Sequence, residues 1–353
     1  MSTPWQRWCQ LTGVRHPILQ DGMGPGPTTH LAIAVSSAGG LGTVSVPSLS
    51  GDPADIRRVW TERIRQVAAE ASGPFAVNVP VGRVPSGELL PVTETCISSA
   101  IELKRTDPAV DAKMVAITTS AGFPGEYSER IRDAGLLHQH KVGSLTHARK
   151  AAVNGADVII ASGYEAGGHT HDKPVHSMVL APQVIAELDR PVLVAGGIFD
   201  GRGLAAALAM GAAGVSMGTR FVATVEHEWH LNYKRKIVDC PEWGDTVFPG
   251  GFYAPVRGLR STVLAKLEEA ERTMAPPEYA AWKERLLNEA QMGGHVEGGL
   301  MPAGQCAAAV HDIITVREVI EGAVAQCRSL LAAAAQAAAD LHPTEGDATL
   351  STR

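Results

Sequence analysis

Three glycine-rich turns, each directly after a short apolar run, lie within residues 157–220. They read G-Y-E-A-G-G-H after residues 158–161, A-G-G-I after residues 192–194 and M-G-T-R-F after residues 214–216. Glycine lets the backbone approach a ligand closely, and free N–H groups at successive turns form a concavity that binds anions. A phosphate-binding site after two consecutive strands is typical of strands seven and eight of a (β/α)8 barrel.

The rest of the chain repeats this alternation of apolar runs and amphipathic segments. The other apolar runs lie at residues 16–20, 42–46, 75–79, 114–117 and 136–142. Eight β/α alternations result, and each run is apolar enough to be buried on both faces. We therefore predict a single α/β domain core, a (β/α)8 TIM barrel. A doubly wound sheet is the alternative, but no strand followed by G-x-G-x-x-G and a helix occurs in the first third.

The barrel pattern stops after the eighth strand. Residues 225–238 and 262–290 have helical patterns and flank a segment rich in proline and glycine. An insertion at this point emerges on the face where such barrels have their active sites, so we expect a lid or pocket wall. The predicted division is a loose end or strap at residues 1–13, a barrel at 14–224 and 303–330, an inserted helical lid at 225–302, and a helical, then disordered, tail at 331–353.

Composition argues against several classes of protein. The formal net charge of −6 is spread along the chain without a basic run, so no nucleic-acid partner is expected. The five cysteines are far apart and form no C-x-x-C pair, which argues against a zinc site or a disulfide framework and fits a reducing cytoplasm. No apolar run is long enough to cross a membrane, and we expect a cytoplasmic protein without a membrane partner.

Several motifs in order resemble the nitronate monooxygenase family, formerly called 2-nitropropane dioxygenases. In chain order they are H-P-I-L-Q-D-G-M-G, S-S-A-G-G-L-G-T, F-A-V-N-V, T-T-S-A-G, E-A-G-G-H, A-G-G-I-x-D-G-R-G and M-G-T-R-F. The similarity extends from about residue 11 to residue 330. The resemblance implies an FMN-dependent TIM barrel. The same set of motifs also occurs in flavin-dependent enoyl-acyl-carrier-protein reductases and related quinone reductases.

His169 is the candidate catalytic residue. It follows two glycines at the end of a predicted barrel strand, so its ring can face whatever the loops enclose, and a neutral imidazole accepts protons near neutral pH. A histidine that only holds the loop by hydrogen bonds is the alternative. The resemblance implies the catalytic role, because the matching histidine faces the flavin as a base for a nitroalkane or as the partner of an anionic substrate.

The resemblance also implies a set of flavin contacts, some beside the ring and some at the phosphate. The assigned residues are Gly22, Met23, Gly24, Asn78, Thr118, Ser120, Gly163, Gly168, Gly196, Gly197, Gly218 and Thr219. Any of the glycines could be only a turn former, and Asn78 could simply end a strand. Asp21 and Pro25 depart from the small residues usual around Met23.

Other polar residues near these motifs allow two interpretations each. His169, His171, Asp172 and His176 are close in sequence, but there is no H-E-x-x-H pattern and we predict no metal site. Glu165 is expected to tie its loop together through backbone N–H groups. Arg220 could stabilise a phosphate or pair with Glu226. The helix after the eighth strand could offer a substrate box through Trp229, His230, Tyr233 and Lys234, but a packed face and a solvated face are preferred.

Three functions remain open from the sequence. The resemblance implies an FMN-dependent monooxygenase that oxidises nitronates or nitroalkanes with O2 to a carbonyl compound and nitrite. The second is a flavin enoyl-thioester or quinone reductase that uses NAD(P)H. The third is a non-catalytic barrel that binds a phosphorylated metabolite. A small-molecule substrate is expected in each case, and a homodimer is possible.

Overall fold

Parallel strands separated by helices make up most of the chain. The computed structural model describes residues 2–83, 87–250 and 254–339. The strands up to residue 217 are β1 (Ile18–Gln20), β2 (Gly42–Ser45), β3 (Phe75–Pro80), β4 (Met114–Ser120), β5 (Leu137–Val142), β6 (Val158–Ser162), β7 (Gly168–His169), β8 (Val192–Ala195) and β9 (Gly214–Met217).

Eight of these strands form a parallel sheet in the order β1-β9-β8-β6-β5-β4-β3-β2. The two ends of the sheet meet: the Gln20 N–H donates to the Leu41 carbonyl at 2.9 Å, and the Leu41 N–H donates to the Ile18 carbonyl at 2.9 Å. The predicted (β/α)8 barrel is therefore confirmed, and the carboxyl ends of all eight strands open on one face.

Helices connect the strands and cover the outside of the barrel. Up to residue 222 they are α1 (Pro4–Thr12), α2 (Thr29–Ser37), α3 (Pro53–Glu70), α4 (Pro91–Thr106), α5 (Pro108–Lys113), α6 (Gly125–Asp133), α7 (Leu145–Val153), α8 (Ser177–Glu187), α9 (Gly201–Ala209) and α10 (Thr219–Val222). Capping residues explain where several of these helices begin. The Asp200 carboxylate accepts hydrogen bonds from the Arg202 and Gly203 amides, and Asp52 caps α3 in the same way ahead of Pro53.

The insertion after β9 is only partly helical. It contains α11 (Leu231–Val238), β10 (Asp245–Phe248), β11 (Val256–Leu259), α12 (Leu264–Thr273) and α13 (Pro276–Gln291). The predicted helix at 225–238 therefore begins later, at Leu231, and the predicted helix at 262–290 is two helices, because Pro276 and Pro277 begin a new one. The hairpin of β10 and β11 was not predicted.

The chain after the insertion also differs from the prediction. The expected helix 305–330 is a short 3-10 helix (Gln305–Ala309) followed by α14 (Val316–Ala339). The predicted boundary at residue 330 lies inside α14, and the expected disorder of the tail falls on residues 340–353, outside the described residues. The division into barrel, lid and tail stays a prediction. Among the described residues, no helix is both long and apolar enough to span a bilayer.

Residues 3–13 form a capped helix, so of the two predictions for this segment, a loose end or a strap, the loose end is wrong. Thr3 and Gln6 form a capping box at the start of α1, and Gly13 ends the helix in a left-handed conformation. Trp8 is completely buried and packs with the apolar residues inside the barrel, among them Leu19, Leu41 and Leu193. The helix therefore closes the end of the barrel opposite the active-site face.

We expect Trp8→Ala to lower the free energy of unfolding by about 3–5 kcal/mol, because it removes a fully buried aromatic side chain from a close-packed core. Urea unfolding followed by circular dichroism measures the change. Trp243 is 77% exposed and supplies the matched control, Trp243→Ala, with an expected change within about 0.5 kcal/mol. Equal effects of the two variants would show that α1 does not close the barrel.

Candidate active site

A cavity of about 860 Å3 lies at the carboxyl ends of the barrel strands. Its wall includes loops after β1, β3, β4, β5, β6, β8 and β9, together with residues of the insertion. Twelve of the thirteen residues assigned from the sequence line it: Gly22, Met23, Gly24, Asn78, Ser120, Gly163, Gly168, His169, Gly196, Gly197, Gly218 and Thr219.

Thr118 is the exception. It is buried within β4, one level deeper in the barrel than Ser120, and it does not line the cavity. Its carbonyl oxygen accepts a hydrogen bond from the Asn78 side-chain amide at 3.2 Å, and the Ser120 hydroxyl lies 3.5 Å from the same nitrogen. Thr118 is therefore a support for Asn78 and not a residue of the cavity wall.

The insertion fixes the position of His169. Strand β11 pairs antiparallel with β7, with Val256 opposite His169, and β10 completes a three-stranded sheet. One residue further on, the Thr170 N–H donates to the Pro255 carbonyl at 2.7 Å. These bonds hold the histidine loop from above, while Gly168 at its base adopts a left-handed φ of 78°. The imidazole consequently faces the cavity.

The environment keeps the His169 imidazole neutral. The His169 side chain is exposed to the cavity, and the strand-end loops and the insertion surround it there. Burial lowers the pKa of His169 from 6.5 to about 4, and the positive charge of Lys283 contributes in the same direction. At neutral pH the ring therefore carries no charge, and one of its nitrogens donates a hydrogen bond while the other accepts one.

Lys283 is a residue of the site that sequence reasoning missed. It lies on α13 of the insertion, lines the cavity, and its ammonium group donates to the Gly250 carbonyl at 2.9 Å. Burial lowers the pKa of Lys283 from 10.5 to about 8, against the opposing effect of Glu271. The group remains mostly protonated at pH 7. The only signal in the sequence was a lysine on a helix that had to cover the barrel mouth.

Glu284, next to Lys283, fastens α13 to the barrel. Its carboxylate accepts hydrogen bonds from the Leu49 and Ser50 amides, at 3.2 and 3.0 Å, and from the Ser50 hydroxyl at 2.5 Å. The residue is nearly buried, so these charge-assisted bonds are protected from water. The loop after β2 and the insertion therefore form one continuous wall.

The predicted phosphate-binding turns differ in whether their backbone N–H groups are free to bind a ligand. Among the described residues, the N–H groups of Gly197 and Gly218 donate no hydrogen bond to the protein. The Gly163 N–H, in contrast, donates to the Ala195 carbonyl at 2.9 Å, so this amide is not free to donate to a phosphate. The Thr219 hydroxyl accepts from the Gly304 N–H at 2.9 Å. Free amides at a concave wall can receive an anionic group such as a phosphate.

Several other residues singled out in the sequence form ion pairs or hydrogen bonds within the protein. Arg220 is buried, pairs with Asp312 at 2.7 Å instead of Glu226, and does not line the cavity. Glu165 accepts from the Ser177 amide at 3.0 Å, as expected for a residue that ties its loop together. Lys234 donates to the Thr224 and His227 carbonyls at 2.7 and 2.6 Å, which makes it a packing residue and not part of a substrate box.

Within the part of the chain that the structure describes, no group of three or more histidine, cysteine or carboxylate side chains could hold a metal ion. The predicted alternative of ligation by the loop histidines therefore has no geometric support there. His171 instead packs on His147, with ring centroids 4.9 Å apart.

A chain of buried hydrogen bonds runs behind the cavity wall. The Ser128 hydroxyl contacts His138 Nδ1 at 2.9 Å, and the Thr119 hydroxyl joins His138 Nε2 and His140 Nδ1 at 2.7 and 2.8 Å. His140 lines the cavity. Burial lowers the pKa of His138 to about 4 and that of His140 to about 3, so both rings are neutral at pH 7.

Free backbone amides after the last two strands and an imidazole at the mouth of a (β/α)8 barrel are arranged as in the ligand-binding sites of that fold. The chain belongs to the nitronate monooxygenase family, whose model matches residues 6–326. The family is enzymatic and its members are in general flavoproteins, so this chain is an oxidoreductase.

Similar proteins carry more than one activity in their names. A "(3aS,4S,5R,7aS)-5-hydroxy-7a-methyl-1-oxo-octahydro-1H-indene-4-carboxyl-CoA dehydrogenase" of Mycobacterium tuberculosis is 30% identical over 89% of this chain and 94% of its own. A nitronate monooxygenase of Paraburkholderia phytofirmans is 30% identical over 84% of this chain and 88% of its own. The structure of FabK from Thermotoga maritima is 33% identical, with a TM-score of 0.81, over 95% of this chain and 99% of its own.

The Gly218→Ala variant tests the phosphate-binding turn. An added methyl group would lie 3.7 Å from Asp21 and Met23, an ordinary contact distance, so we expect the free energy of unfolding to change by less than about 0.5 kcal/mol. The methyl group would nevertheless hinder the approach of a phosphate to the amide. We expect the affinity for added FMN, measured by fluorescence titration, to fall roughly 10- to 100-fold, since a hydrogen bond to a charged group contributes about 1.5–3 kcal/mol.

Gly322→Ala is the matched control, because nothing lies within 4 Å of a methyl group at that position of α14. It should leave FMN affinity unchanged. If Gly218→Ala also binds FMN as well as the original chain, the amide of residue 218 does not contact the phosphate.

The buried histidines predict a dependence of stability on pH. An unfolded histidine titrates near 6.5, whereas folded His138 titrates at about 4, so between these values the unfolded chain binds more protons. The free energy of unfolding should therefore fall as the pH drops from 6.5 to 4.5. His138→Gln should reduce this slope by up to about 1.4 kcal/mol per pH unit, measured by urea unfolding. His311→Gln, at an exposed position, is the control, and equal slopes in both variants would contradict the prediction.

Proposed function

We propose that the chain is an FMN-dependent monooxygenase that oxidises nitronates with O2 to a carbonyl compound and nitrite. The observation that carries this proposal is the pairing, in one cavity, of a neutral imidazole at His169 with a buried ammonium at Lys283. Such a pair suits a compact organic anion. The family membership and the nitronate monooxygenase of P. phytofirmans support the same choice.

The two residues would bind the substrate in different ways. Lys283 would stabilise the negative charge of the nitro group, an interaction that is stronger in a cavity shielded from water. His169 would donate a hydrogen bond to the same group and orient the reacting carbon. With its pKa near 4, the imidazole is a weak base, so removal of a proton from a neutral nitroalkane would be slow. The preferred substrate is therefore the preformed anion.

The residues present fit FMN as the cofactor. The amides of Gly197 and Gly218 would hold the phosphate, and the Gly22, Met23 and Gly24 loop with Asn78 would lie beside the ring. The bound flavin would supply the redox chemistry by taking electrons from the substrate and delivering them to oxygen. The protein would contribute orientation, positive charge and the exclusion of bulk water by the β7, β10 and β11 sheet.

A second candidate function is the reduction or oxidation of a thioester, with a pyridine nucleotide as the partner in the reductive direction. The cavity is near the upper end of the usual range of about 300–1,000 Å3 and could hold more than a flavin and a small nitronate. Its wall also includes the Lys150 ammonium, 5.5 Å from the centre of the Phe123 ring. A cation beside an exposed aromatic ring suits a phosphorylated base. The name of the M. tuberculosis relative, a carboxyl-CoA dehydrogenase, supports this candidate.

Anaerobic stopped-flow mixing with the flavin-loaded chain separates the two candidates. Rapid bleaching of the flavin by a short-chain nitronate, with negligible bleaching by NADH or NADPH, is the expected result. Fast bleaching by a pyridine nucleotide and none by the nitronate would reject the proposed function in favour of the second candidate. Bleaching by neither would reject both.

We expect His169→Asn to lower kcat/KM for a nitronate by roughly 10²- to 10³-fold, since the substrate loses an orienting hydrogen bond at the reacting centre. Lys283→Met should raise KM about tenfold or more, because the anion loses its buried counter-charge. Lys266→Met, on an exposed face of α12, is the control and should behave as the original chain. An unchanged KM in Lys283→Met would remove the lysine from the substrate site.

A further inference from the structure

An ion pair crosses the floor of the cavity. Asp21 follows β1, and Lys141 lies near the end of β5; these strands are four places apart in the ring of eight and therefore face each other across the barrel. The Lys141 ammonium contacts the Asp21 carboxylate directly. The side chains are only 21% and 13% exposed, and both line the cavity.

The pair lies beside the residues assigned to the cofactor. Asp21 directly precedes the Gly22, Met23 and Gly24 loop, and its Cβ is 3.7 Å from the place that a Cβ on Gly218 would occupy. Among the described residues, the second carboxylate oxygen of Asp21 is buried without a hydrogen-bond partner. The contact with Lys141 is therefore the main compensation for the carboxylate charge, and the two charges nearly cancel at this point of the wall.

A lone lysine here would act differently from the pair. Reduction of a flavin increases its negative charge, so a nearby uncompensated cation favours the reduced form and raises the reduction potential. A carboxylate in contact with that cation removes most of this effect.

We propose that Asp21 is a positioning and charge-compensating residue that lowers the reduction potential of the bound flavin by neutralising Lys141. The inference rests on the flavin of the proposed function but not on the identity of the substrate. A lower potential makes the reduced flavin a stronger donor of electrons to oxygen. The ion pair would thus favour reaction with oxygen over accumulation of the reduced enzyme.

The test is the midpoint potential of the flavin-loaded chain, measured by slow reduction against a reference dye. Asp21→Asn should favour the reduced flavin by tenfold or more in equilibrium constant, which is about 30 mV for a two-electron couple. Lys141→Met should shift the potential in the opposite direction. The double variant should return close to the original value, because both charges are absent. Glu62→Gln, in an exposed ion pair on α3, is the control and should leave the potential unchanged.

The outcomes separate this inference from the proposed function. Shifts of the same sign in both single variants, or no shift, would mean that the pair is only structural and would overturn the inference while leaving nitronate oxidation intact. A chain that binds no flavin would overturn the proposed function and this inference together. Thermal unfolding of each variant checks that the fold is retained, and Asp21→Ser replaces Asp21→Asn if the latter does not fold.

Discussion

The pairing of β11 with β7 is the interaction on which the site depends. Without it, the loop after β6 would carry His169 on a glycine-rich segment with no support on its open side. With it, the backbone of the insertion fixes the loop through hydrogen bonds that do not depend on side-chain identity. The same insertion supplies Lys283. Its Glu284 accepts hydrogen bonds from the loop after β2 and so attaches the insertion to the barrel. One inserted segment therefore determines the direction of the imidazole, the charge beside it and the closure of the cavity.

The sequence was sufficient for the parts of the structure that depend on local patterns. Apolar runs buried on both faces and glycine turns at their ends predicted the barrel, and the free amides of Gly197 and Gly218 lie at turns that the glycines identified. The helix that carries Trp8 could also have been predicted, because Thr3 and Gln6 have the spacing of a capping box. The prediction of a loose end or strap for residues 1–13 did not use that signal.

The errors concern features that depend on distant parts of the chain. The hairpin of β10 and β11 pairs with β7, which lies far away in sequence. No local sequence pattern predicts that pairing. Lys283 enters the cavity only because α13 folds over the barrel. Thr118 and Ser120 lie on the same side of β4, and the depth at which the strand crosses the barrel decides that only Ser120 reaches the cavity. Gly163 lies in a glycine-rich turn, but its N–H donates a hydrogen bond within the barrel.

The distribution of charge follows from the same architecture. At the floor of the barrel, Lys141 faces a carboxylate, whereas at the mouth Lys283 is held by a backbone carbonyl and retains its charge. A neutral His169 lies on the side of Lys283. The charge of the lysine at the mouth is therefore less compensated than the charge of the lysine at the floor. Because the barrel provides the floor and the insertion provides the mouth, changes in the insertion can alter the substrate while the proposed cofactor site stays the same.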